Sequence, residues 1–458
     1  MNIPNDKLNQ IALIGLGTMG ASLALNIANN GYNIAVFNRT SSKTEHFIKQ
    51  NNKPNLKGYY DLKDLVGSLA KPRKVILMVP SGSAVEEMIQ DLMPLLEADD
   101  IILDCGNSNW KDTLNNQQIL DSKQIQFIGC GVSGGEEGAL KGPSIMPGGN
   151  FDSVNSVLPI LEKIAALDFN GKPCVSNVGL AAAGHFVKMV HNGIEYAIMQ
   201  GIAEIYSLLK LQGFSEDQIL DFFTQANTGK TASYLVEITI NILKTKDEDG
   251  SLLVDKVLNV AKAKGTGRWT TEAALELGVN SPTLAAAVFA RISSARNQMF
   301  TLSESNFTPK SEHNPYPDTK LLLEKYLKTL EALYLVSYLQ GLDLIAHANQ
   351  EFNWNINLEE VIRIWQGGCI IRSEMLRDLY QIWTNPIDLT EQNWLLWFTS
   401  NSDYNASTPV INSASAYTKA LVTANSTANL IQAQRDYFGA HTYRRTDKSG
   451  DFSGGWVR

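Results

Sequence analysis

Lys188, His191, Asn192, Glu195 and Tyr196 stand at i, i+3, i+4, i+7 and i+8 along one stretch of sequence. At about 100° per residue these positions form a single stripe on one face of a helix. The residues between them include the apolar Met189, Val190 and Ile194, and Phe186 and Val187 just before and Ala197 and Ile198 just after are apolar too. The stripe is therefore polar and the helix around it is made for burial. A lone Lys–Glu pair on a helix is most simply a surface salt bridge. With histidine, asparagine and tyrosine on the same face, the stripe reads instead as one wall of a cleft. A desolvated lysine loses its proton more readily and can act as a base near neutrality, whereas a desolvated glutamate holds its proton and can act as an acid. The chemistry implied is proton removal at one atom of a substrate and proton return at another.

Two glycine-bearing segments supply anion-binding groups. Ser133, Gly134 and Gly135 lie in VSGGEEG, where consecutive glycines expose backbone N–H groups suited to a carboxylate. Lys264 opens KGTGRWT, which joins cations to small residues as phosphate binding requires. Arg291 lies in the largely apolar run Ala285–Ile292, where an arginine needs an anionic partner.

A dinucleotide signal occupies the N-terminal end. Gly15, Leu16, Gly17, Thr18, Met19 and Gly20 form GLGTMG between a strand-like run, Gln10–Gly15, and a helical pattern reaching about Asn30. The first glycine permits the tight turn, the second lets backbone approach a pyrophosphate, and the third lets helix and strand pack closely. The second strand-like run, Tyr32–Phe37, ends in Asn38, Arg39 and Thr40. An NAD enzyme usually places a carboxylate there, which would repel a 2′-phosphate, whereas Arg39 can pair with one and stack on adenine. NADP is the expected cofactor.

The elements that would carry these groups follow from periodicity. Further strand-like runs at Lys74–Val79, Ile101–Asp104 and Gln126–Gly129 alternate with helix-length stretches, which predicts a parallel sheet covered on both faces. After Gly179 the pattern turns helical, with long segments at Ala182–Leu211, Thr319–Ala348 and Leu358–Ile382. The expected fold is an α/β Rossmann-type N-terminal domain over residues 1–180, an all-helical domain over 181–433 and a C-terminal tail over 434–458. Thr446–Arg458 by itself resembles a frayed tail. Gln434–Arg445 does not, because it is rich in Arg, His and Tyr.

The 458 residues carry a formal net charge of −8, which speaks against nucleic acid as a partner. No apolar run is long and uncharged enough to span a membrane. Met1–Gln10 is polar and lacks a signal-peptide pattern, and four scattered cysteines fit free thiols in a reducing compartment. A cytoplasmic protein with no metal ligand cluster is expected.

The segments GLGTMG, NRT, Cys105–Ser108, VSGGEEGA, GPSIMPGG, Phe186–Tyr196 (FVKMVHNGIEY), KGTGRWT, Gly367–Ser373 (GGCIIRS) and Arg435–Tyr443 (RDYFGAHTY) together resemble the 6-phosphogluconate dehydrogenase family, the decarboxylating enzymes of the pentose phosphate pathway, over nearly the whole chain. The resemblance implies NADP-linked oxidative decarboxylation of 6-phosphogluconate to ribulose 5-phosphate and CO2. It implies Lys188 as general base and Glu195 as general acid. Asn107, Ser133, Gly134, Gly135, His191 and Asn192 would surround the sugar acid, Asn107 and Val79 also meeting the cofactor. Tyr196, Lys264 and Arg291 would hold the phosphate. It further implies a homodimer in which Arg435 and His441 reach the neighbouring subunit's site.

The chain departs from the family pattern at Leu140 and Gln366, where arginine is usual or frequent, and at Pro80 and Ser81, where many members have Lys-Ala against the cofactor. Ser303–Pro317 matches poorly and reads as a variable surface loop. Two rival readings are a β-hydroxyacid dehydrogenase for a smaller, unphosphorylated acid and a catalytically silent NADP-binding sensor. The cationic segments oppose the first, and the intact Lys188 and Glu195 oppose the second.

Overall fold

The computed structural model describes residues 8–296, 318–384, 398, 406–424 and 426–457. The loop expected over Ser303–Pro317 lies outside them. The N-terminal half is built on a seven-stranded sheet. Its strands are β1 (Ile11–Ile14), β2 (Ile34–Phe37), β3 (Leu56–Gly58), β4 (Lys74–Leu77), β5 (Ile101–Asp104), β6 (Gln126–Ser133) and β7 (Ser144–Gly148). Their spatial order is β3-β2-β1-β4-β5-β6-β7. The chain winds outward from β1 in one direction and then resumes with β4 on its other side. That places a ligand crevice at the carboxyl ends of β1 and β4.

Every pair is parallel except β6 with β7, which is antiparallel. The sheet is thus not wholly parallel, and two strands, β3 and β7, carry no strong apolar signal of their own. Leu56–Gly58 is only three residues long, and Ser144–Gly148 contains a proline and a glycine. β7 is an edge strand, where proline is tolerated. β6 also runs four residues beyond the expected Gly129, which carries Val132 and Ser133 into the sheet.

Alternate residues of the central strands feed two cores, one on each sheet face. Ile11 and Leu13 belong to one, and Ala12 and Ile14 to the other. A third core gathers around the helix Ala183–Leu211, in which every residue from Ala183 to Ile194 is buried. This central helix docks directly on the sheet, touching β6 and β7, and then on the helix Thr319–Phe352. Gly131 makes the docking possible: a Cβ there would lie 2.4 Å from the Cβ of Lys188. The helical segment expected over Leu358–Ile382 is divided into Leu358–Ile364 and Met375–Thr384. The break is a turn in which Gly368 adopts φ +70°, a conformation open to glycine and interrupting the helical hydrogen-bond ladder.

Arg363 clamps the two halves. Its guanidinium donates to Asp168 Oδ2 at 3.1 Å, to both oxygens of Glu360, and to the carbonyls of Pro173 and Val175 at 2.8 and 3.1 Å. The Asp168 side chain is fully buried. Replacing Arg363 with methionine is expected to lower unfolding free energy by about 3–5 kcal/mol, because the carboxylate would remain buried without its partner. Urea denaturation checks this. A loss below about 1 kcal/mol, the worth of a surface pair, would contradict it.

Candidate active site

The stripe on the central helix faces the carboxyl end of β6. Lys188 Nζ lies 2.7 Å from Asn192 Oδ1 and 3.2 Å from His191 Nδ1, and it makes no salt bridge with Glu195. The surface salt bridge that spacing alone favoured is absent because the two residues stand about two turns, or 10 Å, apart along the axis. They address different points of one cleft. His191 Nε2 is 3.0 Å from Ser133 Oγ, which also accepts from the Ile370 backbone N–H at 3.3 Å. His191 Nδ1 lies between Lys188 Nζ at 3.2 Å and Asn192 Oδ1 at 3.0 Å, so the three side chains hold one another in place. Ser133 Oγ thus joins the central helix, the end of β6 and the Ile370 backbone at one point of the cleft.

Burial sets the protonation states. Desolvation lowers Lys188 from its ordinary 10.5 to about 8, although Glu195 and then Cys369 oppose the shift. Desolvation likewise raises Glu195, with Lys188 and Arg291 acting against it. Burial, then the Lys188 charge, holds His191 well below the usual histidine range, so its ring is neutral. Glu195 keeps 22% of its side chain exposed, whereas Lys188 keeps only 6% overall. The lysine forms the floor of the cleft and the glutamate stands on its wall.

Next along the wall, the Arg291 guanidinium lies over the Tyr196 ring, 3.5 Å from its centroid. Arg291 also donates to the Lys262 carbonyl at 3.5 Å, tying down the exposed strap that carries Lys264. Among the described residues Arg291 makes no ion pair, so the anionic partner its setting calls for is not supplied there. Lys264 leads into Gly265, whose φ of +97° starts the helix Thr266–Glu276. KGTGRWT is therefore a helix N-terminus, not a free loop. The Thr270 hydroxyl fastens this helix to the central one by donating to the Met189 carbonyl at 2.9 Å.

The nucleotide end is ordered by close approach. Gly15 has φ +104°, and a Cβ on Gly20 would meet its carbonyl oxygen at 1.9 Å. Gly17, the N-cap of the helix Thr18–Asn29, has open space around it, and that helix has no acidic residue in its first turn. An open helix N-terminus without a side-chain cap fits a pyrophosphate. Met19 and Val79 are half-buried beside it, and Thr18 is exposed. Leu16 offers less than expected, since its N–H is already bonded to Asn38 Oδ1 at 3.0 Å. Asn38 thus braces the turn. Arg39 and Thr40 are exposed at the end of β2, and Arg39 Nη1 lies 3.5 Å from Glu87 Oε2.

Asn107 is exposed at the end of β5, on a turn held by Asp104. The buried Asp104 carboxylate accepts from Gly106 N at 3.0 Å and Ser108 Oγ at 2.6 Å. His185, one turn before Lys188, is also buried and reaches Thr113 Oγ1 at 2.6 Å. Asp104, His185 and the Ile370 N–H were not singled out from sequence. His185 could have been, because i−3 from Lys188 extends the stripe.

Gly134 is buried and Gly135 is exposed at the start of the short helix Gly135–Lys141. Arg435 and His441 are not brought to these residues. Arg435 bonds Gln432 at 3.2 Å and His441 packs edge-on against Phe438, contacts that stay within the helix Ala428–Gly439 and the residues just after it. The tail is ordered, unlike the frayed end expected from composition. The helix Ala428–Gly439 and the hairpin of β8 (Tyr443–Arg444) and β9 (Asp451–Phe452) gather around buried Asp436. Its carboxylate accepts from Gly454 N, Trp456 Nε1, Ser453 Oγ and Thr442 N, bonds that hold it down to about 2.

Residues 10–179 match the model of the NAD binding domain of 6-phosphogluconate dehydrogenase, and residues 184–456 match that of its C-terminal domain. The chain is 44% identical over 465 residues to the decarboxylating 6-phosphogluconate dehydrogenase of Salmonella typhimurium, covering 98% of this chain and 99% of that one. It is also 44% identical, with the same coverage, to the NADP(+)-dependent, decarboxylating enzyme of Bacillus subtilis. The solved 6-phosphogluconate dehydrogenase of Plasmodium falciparum, described in apo form and in complexes with its cofactor NADP+ and its substrate 6-phosphogluconate, superposes with a TM-score of 0.89. It shares 38% identity over 98% of this chain and 100% of that one.

Proposed function

The chain belongs to the 6-phosphogluconate dehydrogenase family, and we propose that it oxidatively decarboxylates 6-phosphogluconate to ribulose 5-phosphate and CO2, with Lys188 and Glu195 as its proton-transfer groups. The observation that carries this reading is the separation of the two buried groups: an amine lowered to about 8 on the cleft floor and a carboxyl raised by burial on its wall. Opposite shifts at neighbouring sites are how one cleft supports both a base and an acid near neutral pH.

Bound NADP supplies the hydride acceptor for oxidation at C3. Gly17 and the first turn of the helix Thr18–Asn29 would hold its pyrophosphate, and Arg39 with Thr40 its 2′-phosphate. Lys188 Nζ takes the proton of the C3 hydroxyl as that carbon becomes a ketone. The carboxylate is then β to a carbonyl, so CO2 leaves while its bonding electrons pass to the C3 oxygen. Lys188, now an ammonium, protonates that oxygen and gives an enediol. Glu195 delivers a proton to the former C2, which becomes C1 of the product, while Lys188 takes back the enediol hydroxyl proton to leave the ketone of ribulose 5-phosphate. Passage of that proton to Glu195 restores both groups. His191 and Asn192 keep Nζ in place, and Ser133 offers the sugar acid a hydroxyl group. Tyr196 and Arg291, stacked on each other with the exposed Lys264 on the tethered strap, suit the phosphate.

We assign residues 1–180 to the cofactor domain, 181–433 to the helical domain and 434–458 to a tail that reaches a second copy. The tail helix supports this last assignment: of its residues only Asp436 is buried, while Leu430, Ile431 and Phe438 remain exposed. Such apolar surface on a well-ordered element suits a protein partner. Arg435 and His441 would thereby complete the neighbouring site of a homodimer. Cytoplasmic residence fits the four buried free cysteines.

The assay that tests the function follows NADPH and CO2 together with 6-phosphogluconate as substrate. Equimolar release is expected. A folded protein that binds NADP and releases neither product would refute the reading.

A further inference from the structure

We propose that Glu87 limits the discrimination between NADP and NAD by competing with the 2′-phosphate for Arg39. The inference rests on the reading of Arg39 as the 2′-phosphate partner. Glu87 lies on the helix Ser83–Leu92, which follows β4, and faces Arg39 from across the cofactor crevice with an N–O distance of 3.5 Å. Both side chains are exposed, at 85% for Arg39 and 61% for Glu87, so the pair meets at the mouth of the crevice. This ion pair is the partner Arg39 has among the described residues.

The pair affects the two cofactors unequally. A 2′-phosphate must either displace Glu87 from Arg39 or sit beside a carboxylate of its own sign. Each alternative weakens NADP binding. NAD presents only a neutral 2′-hydroxyl, which leaves the Arg39–Glu87 pair undisturbed and can itself donate to a carboxylate, as in NAD-specific sites. Glu87 therefore acts against NADP selectively, while Arg39 acts for it. Because both groups are solvated, the penalty is that of a surface charge pair and not of a buried one.

The experiment measures kcat/KM for NADP and for NAD on the full-length protein at low ionic strength. Glu87→Gln is expected to raise the NADP:NAD ratio by about fivefold, the worth of a surface ion pair. Glu87→Lys should raise it further. In about 1 M salt, where the screening length is about 3 Å, the gain should shrink towards one. A general disturbance of the fold would move both cofactors together and leave the ratio unchanged. Arg39→Ala is run alongside and should lower the ratio by tenfold or more, an order of magnitude set by charge-assisted phosphate contacts. If Arg39→Ala lowers the ratio and Glu87→Gln leaves it fixed or reduces it, the proposal is overturned and the 2′-phosphate reading stands. If Arg39→Ala leaves the ratio unchanged, both fall.

Discussion

Replacing Lys188 with methionine is expected to lower kcat by about 10⁴-fold, because one amine serves as base and then as acid and each role is worth about 10²–10⁴. The parent enzyme should show the signature of that amine in its pH profile. Lys188 must be unprotonated to accept the hydroxyl proton, and burial places it at about 8. Below that pH, kcat/KM should therefore rise about tenfold per pH unit and then level off. In Lys188→Met the limb should vanish along with the rate. Stability supplies the control. A lysine lowered on folding binds its proton less tightly in the folded chain than in the unfolded one, whose value is the ordinary 10.5. Its destabilising effect is full below pH 8 and fades as pH rises from 8 to 10.5. Removing the ammonium relieves that effect at pH 7 and offsets the lost hydrogen bond to Asn192, so the variant's Tm should match or exceed the parent's. A variant that loses both activity and several degrees of Tm, with the pH limb intact, would assign Lys188 a structural role instead.

Glu195→Gln is expected to reduce kcat by about 10²–10⁴-fold while the dissociation constant for 6-phosphogluconate stays within about threefold. Glutamine keeps the shape and the hydrogen-bonding capacity of the protonated acid but has no proton to give to the carbon that becomes C1. Oxidation and decarboxylation precede that step and rely on Lys188. The variant should therefore release one equivalent of NADPH per site in a rapid burst and then turn over slowly. Rapid-mixing absorbance at the NADPH band resolves the two phases. Loss of the burst in proportion to the steady state would place Glu195 before the redox step and defeat the assignment. The carboxyl raised by burial predicts a further limb in kcat, on which the activity of the parent falls as that carboxyl ionises. Glu195→Gln should lack it.

Much of this site was legible along the chain because its groups ride on regular elements. The stripe from Lys188 to Tyr196 needed only helical periodicity, and the GLGTMG turn needed only its place between a strand and a helix. Isolated polar groups whose partners come from distant segments were less legible. Nothing in the spacing of Asp104 announces that its carboxylate holds the turn bearing Asn107. The N–H of Ile370 is a backbone group with no letter of its own, and it reaches Ser133 only because the Gly368 turn folds that segment onto β6. β7 escaped notice for a similar reason, since its pairing with β6 substitutes for the propensity its proline and glycine lack.

The sequence alone determined which residues share a helix face, where a phosphate-binding turn could form, and the chemistry that a lysine and a glutamate seven apart could perform. These depend on local backbone geometry, which a short stretch specifies. Tertiary structure decided that Lys188 and Glu195 do not pair, that Lys188 turns to Asn192 and His191, and that burial lowers the lysine to about 8 and raises the glutamate. Those outcomes depend on desolvation by the sheet, the strap and the Gly368 turn, and desolvation belongs to the assembled packing, not to any one segment. The same holds at the other end of the crevice, where β1 and β4 lie side by side and Arg39 meets Glu87 across 48 residues of chain.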